Sequence, residues 1–186
     1  MSPTRVDTHF HFVPENFAQA IAAAGGNPSG PWNLPKWSAE SAIAAMDTLG
    51  TTKGILSIST PGPAIVGNGD AGRTLTREMN KEVLAVVQHN PQRFGWFASL
   101  PDWTDVQGTL DEIEWAFDMA RADGVVIMAS YKNLWVVLET VFAKLMRGSR
   151  LLGDRSFQSI WDKLDEFKAV VFIHPTSIDM CVFPHH

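Results

Sequence analysis

Only one cysteine, Cys181, occurs in the 186 residues. A lone thiol builds no internal disulfide framework and suits a reducing compartment, so a cytoplasmic location is expected. Basic residues are also in the minority: 15 Lys and Arg against 20 Asp and Glu leave a net charge of -5. A nucleic-acid footprint needs Lys and Arg clustered on a basic background, so no nucleic-acid partner is expected. No apolar run approaches the roughly 18–20 residues that cross a bilayer, so no membrane partner is expected either. The opening "MSPTRVDTHF" lacks the charged start and apolar run of a secretory leader. Close internal repeats are missing as well.

What is present is a globular composition. Apolar residues make up 45% and charged residues 19%, enough for one domain with a core. Short β-branched and aromatic runs predict strands at 5–12, 53–59, 93–100, 124–130 and 169–175. Three of them, "GILSI", "VVIMA" and "AVVFI", are nearly continuous apolar runs, as in a parallel sheet covered on both faces. Helical patterns lie between them. Pro14 and Gly25 bracket the first, and Ser38 and Gly50 bracket the second. Apolar stripes mark the others: Leu75, Met79, Val83 and Val86; Leu110, Ile113, Phe117 and Ala120; Phe157, Ile160, Leu164 and Phe167. Strand and helix alternate five times, the signature of βα units on a parallel sheet. The segment 25–37 is rich in Gly and Pro and predicts a loop.

The stretch "RVDTHFHFVP" carries the first candidate chemistry. On a strand His9 and His11 share a face, and Asp7 is expected there too, as a strand-start residue or an outer partner. Two such imidazoles can reach one ion. The apolar flanks Val6, Phe10 and Phe12 predict a largely buried strand, in which the imidazoles need partners. His174 ends another apolar strand. In a parallel sheet all strand C-terminal ends gather on one side, so His9, His11 and His174 are expected to converge. The plain alternative is a pair of polar residues on a half-exposed strand.

Other signals are weaker. Gly67, Gly69 and Gly72 match a dinucleotide-binding spacing, but "TPGPAIV" separates them from the strand, and a loop is the simpler reading, with no such cofactor expected. Cys181, His185 and His186 form a tail that nothing positions. His89 ends a helix and suits its C-terminal dipole. Ser57 and Ser59 share a face without a nucleophile-elbow pattern. Trp32 and Trp37, in the long loop, are candidates to shape a pocket for a planar substrate, with loop packing as the alternative.

"VDTHFHFVP" and "VVFIHPT" resemble the metal-dependent decarboxylase branch of the amidohydrolase superfamily, which includes aminocarboxymuconate-semialdehyde decarboxylase and resorcylate decarboxylases. "GILSISTPG", "LPKWSAESAIAAMDTLG", "NPQRFGWFASLP", "ADGVVIMASY" and "LGDRSFQSIWDKLDE" resemble it in order and spacing. Within the branch the chain looks most like 6-methylsalicylate decarboxylase-like proteins. The resemblance covers nearly the whole chain. It implies an α/β fold, a (β/α)8 TIM barrel of the metal-dependent hydrolase type. One divalent ion, zinc first and manganese second, lies at the barrel mouth. The family's His-x-His pair and later His fall on His9, His11 and His174. The family also uses an Asp on the last barrel strand and a His on a later strand, which have no counterpart here. A barrel of this type needs about 250 residues. The expectation is a single incomplete barrel domain over 1–186, with about five of eight strands.

A further departure is the block 136–151, which interrupts a familial loop. A lid helix, with Leu134, Leu138, Phe142 and Leu145 as its stripe, and a gene-model artefact both remain open. The resemblance implies a carboxy-lyase acting without oxidation on a small aromatic or enol carboxylic acid, with impaired activity expected in a shortened chain. A lactone or amide hydrolase on the same scaffold and a non-catalytic fragment are the alternatives. Homo-oligomers are expected of full-length relatives.

Overall fold

The computed structural model describes residues 5–26, 34, 36–131 and 150–175. Five parallel strands form the main sheet: β1 (Val6–Phe12), β2 (Lys53–Ile58), β3 (Phe94–Ser99), β4 (Gly124–Met128) and, after a small antiparallel pair β5 (Ser130–Tyr131) and β6 (Arg150–Leu151), β7 (Val171–His174). Their order is β1-β2-β3-β4-β7. The helices α1 (Glu15–Ala23), α2 (Ala39–Leu49), α3 (Asp70–His89), α4 (Val106–Glu114) and α5 (Gln158–Glu166) fill the crossovers.

The inner strands form where apolar residues run nearly unbroken. Nearly every residue of β2, β3 and β4 is buried, which is the mark of inner strands covered on both faces. Leu75, Met79 and Val83 of α3, Ile113 of α4, and Ile160 and Leu164 of α5 supply buried helix stripes. Ser38 caps α2 by accepting from the Ser41 N–H, and Gly50 closes it in a left-handed conformation, φ 67°. Helix α4 runs on into a π turn, Trp115–Met119, where Arg77 lies over the Trp115 ring at 4.2 Å.

β1 departs from expectation. It is an edge strand, and Val6 is 48% exposed. One extra residue enters β1 between Asp7 and Phe10, a bulge that breaks the strict alternation. The expected common face of Asp7 with His9 and His11 is therefore corrected. Asp7 Oδ1 instead accepts the backbone N–H of His9, at 3.0 Å.

The sheet is curled. Five flat strands would hold their edges roughly 19 Å apart at the usual strand spacing. Yet the ring centroids of His9 on β1 and His174 on β7 are 5.1 Å apart. Side chains from the two edges meet across the concave face, as in half of a barrel. Of the block 136–151, only Arg150 and Leu151 are among the described residues; Trp32, Cys181, His185 and His186 are outside them.

Candidate metal centre

His9 lies within the bulge of β1, His11 follows it in regular register, and His174 is the last residue of β7. The parallel order brings these C-terminal halves to one end of the sheet. One ligand atom from each imidazole lies within 4.8 Å of the other two. His9 is exposed, His11 half-buried and His174 buried. Phe172, two residues before His174, closes one side, with its ring centroid 5.0 Å from that of His9.

Tautomers follow from the partners. His174 Nδ1 lies 2.6 Å from the Pro175 carbonyl, which can only accept, so Nδ1 carries the proton and Nε2 keeps its lone pair. Burial, with His174 and His9 adding repulsion, holds His11 below the ordinary histidine value. Burial likewise lowers His174, against the opposing hydrogen bond to Pro175. Both are thus held in the neutral form that ligates metals.

The fit to a divalent ion can be tested on the nitrogens themselves. His9 Nε2 and His11 Nε2 are 3.1 Å apart. Without an ion this pair needs one ring to donate and the other to accept. Two ligands of one ion, each bonded at about 2.0–2.1 Å, can adopt the same separation with both lone pairs engaged. His11 Nδ1, buried and without a partner among the described residues, is then the protonated nitrogen. Three imidazoles form a nitrogen donor set that suits zinc and other late divalent ions. The residues fit such a group.

Trp37 is placed elsewhere. Its ring meets Phe12 edge-on at 4.7 Å and lies 6.4 Å from Phe94. Phe12 follows His11 and points to the opposite face of β1, so Trp37 belongs to the packing side rather than to the histidines. Gly67 and Gly69 take positive φ, 82° and 77°, and a Cβ on Gly72 would strike the Gly67 carbonyl. Their spacing thus has a packing account, a tight turn docked on the first turn of α3. His89 Nδ1 donates to the Ala85 carbonyl at the end of α3. Sequence reasoning missed Phe172 and the Pro175 carbonyl; the period of two from His174 was the available signal for the first. It weighed Ser57 only as a nucleophile, not as a neighbour of the histidines; its buried hydroxyl has no partner among the described residues.

A family profile described as Amidohydrolase matches residues 6–186. A 6-methylsalicylic acid decarboxylase of Aspergillus aculeatus is 39% identical over 172 residues, 92% of this chain and 48% of that protein. The chain thus spans about half the length of the curated relatives it matches. Among solved structures, an amidohydrolase superposes with a TM-score of 0.81 at 20% identity, over 98% of this chain and 54% of that one. A dihydroxybenzoic acid decarboxylase from a Polaromonas species, solved with bound manganese and 2-nitroresorcinol, gives 0.72 at 18% identity, over 92% and 49%.

Proposed function

This chain belongs to the amidohydrolase family, and from that premise we propose that it serves the metal-dependent, non-oxidative decarboxylation of a small aromatic carboxylic acid of the 6-methylsalicylate type. His9, His11 and His174 are the ligands. The observation that carries this reading is the meeting of three imidazoles from both edges of the sheet within 4.8 Å. The names of the relatives support the reaction class. The imidazole set favours zinc, while related structures hold manganese.

When bound, a divalent ion supplies Lewis acidity that orients a substrate oxygen and stabilises negative charge. The chain's own residues would hold that ion and shape the space beside it. The Pro175 carbonyl fixes the His174 tautomer, and burial keeps His11 and His174 neutral and available. Phe172 gives the site an apolar wall against which an aromatic ring can pack. In the reaction the bond from ring to carboxylate carbon breaks, its electron pair stays on the ring carbon, and a proton takes the vacated position. Among the described residues no carboxylate joins the cluster. The single cysteine supports a cytoplasmic location, and no described helix is long and apolar enough to cross a membrane.

The test is product analysis. The chain, loaded with zinc or manganese, is incubated with 6-methylsalicylate, and carbon dioxide and the corresponding cresol are measured. Equal amounts of both support the reading. Hydrolysis of lactones or amides by the same preparation, without carbon dioxide release, overturns it in favour of a hydrolase.

A further inference from the structure

We propose that Ser57 is a positioning residue of this metal centre, its hydroxyl accepting the ring proton of His11 Nδ1 so that Nε2 is aimed at the ion. The inference rests on the metal-centre reading above and adds to it a residue outside the ligand set.

Two buried polar side-chain atoms near the site lack a partner among the described residues: His11 Nδ1 and Ser57 Oγ. They belong to register partners, since His11 on β1 faces Ser57 on β2. In a parallel pair such residues project to the same face, with strands about 4.8 Å apart. Ser57 is 1% exposed, so bulk water does not serve its hydroxyl. A buried polar atom without a partner is costly, and a rotation about the serine χ1 can bring the two orphans together or leave one water between them.

The other two ligands do not need this help. His174 gives its Nδ1 proton to Pro175, and His9 is exposed to solvent. Only His11 must commit Nε2 to the ion while burying an unmatched N–H. Ligating histidines are oriented by the partner of their second nitrogen, and loss of that partner typically costs about 10–100-fold in metal affinity. The Ser57 hydroxyl bonds to no other described residue, so its removal should leave the metal-free melting temperature unchanged or higher.

These two statements make the test specific. Zinc and manganese affinities of the whole chain are measured by chelator competition for wild type, Ser57→Ala, Ser57→Thr and His11→Ala, together with the melting temperature of each without metal. Ser57→Ala should bind about 10–100-fold more weakly, with an unchanged or higher metal-free melting temperature. Ser57→Thr, which keeps the hydroxyl, should bind within a few-fold of wild type. Wild-type affinity in Ser57→Ala, with binding lost in His11→Ala, overturns the Ser57 assignment alone. Wild-type affinity in His11→Ala overturns the metal-centre reading itself. A lowered metal-free melting temperature in Ser57→Ala makes the hydroxyl structural and also overturns the assignment. If Ser57→Ala fails to fold, the zinc-loaded wild type decides by nitrogen NMR: a slowly exchanging His11 Nδ1–H supports the proposal, and a rapidly exchanging one overturns it.

Discussion

A neutral imidazole donates a lone pair, whereas a protonated one repels a cation. At this scale the site depends on how each ring is held neutral and aimed. His174 is 6% exposed and tied to Pro175, while His9 is exposed and held through its backbone by Asp7. Water can replace an exposed ligand more easily than a buried one. His174→Ala is therefore expected to lose metal affinity on the order of 100-fold or more, beyond the range for outer partners. His9→Ala should lose less. Metal content after dialysis measures both, and full occupancy in either removes that residue from the site.

Between elements, polar pairs and close contacts fix how the layers sit. Arg73 of α3 grips the carboxylate of Asp105, which caps α4, with two bonds of 2.7 Å. That guanidinium holds Asp105 below the usual carboxylate value. A depressed carboxylate gives stability that is present above the unfolded value near 3.8 and is lost as pH falls through the folded one. Asp105→Asn should thus melt lower than wild type at pH 7, and the gap should close below about pH 4; a gap independent of pH rules out the ion pair as its cause. Gly124 opens β4, and a Cβ there would strike the Val170 carbonyl that pairs with Val125. Gly124→Ala should cost about 1–3 kcal/mol, read from denaturant unfolding, because that neighbour is backbone and cannot step aside. The elements themselves were legible: short β-branched and aromatic runs located all five main strands, three of them nearly continuous apolar stretches, and Ser38 and Gly50 marked both ends of α2. The bulge in β1 was not, because one inserted residue changes pairing without changing composition. The three histidines were legible from their positions at strand ends, and Ser57 was not, since only the register with His11 gives it a role.

At the scale of the whole molecule, the curled sheet brings its two edges together at the histidines. An ion held there ties β1 to β7 in the folded state only, and ligand at about 100 times its dissociation constant adds about 2.7 kcal/mol. For a chain of this size that is roughly 5–10 °C in melting temperature. The rise should vanish with a chelator and in His174→Ala; an unmoved transition in the wild type argues against an ion across the edges. The same arrangement has a consequence in time. The ribosome delivers β1 first and β7 last among the described strands, and chains fold as they emerge. A nascent chain that has not yet reached residue 174 has at most two of the three imidazoles. Firm uptake of an ion by this trio would thus wait for β7, and occupancy would become a record that synthesis has passed it.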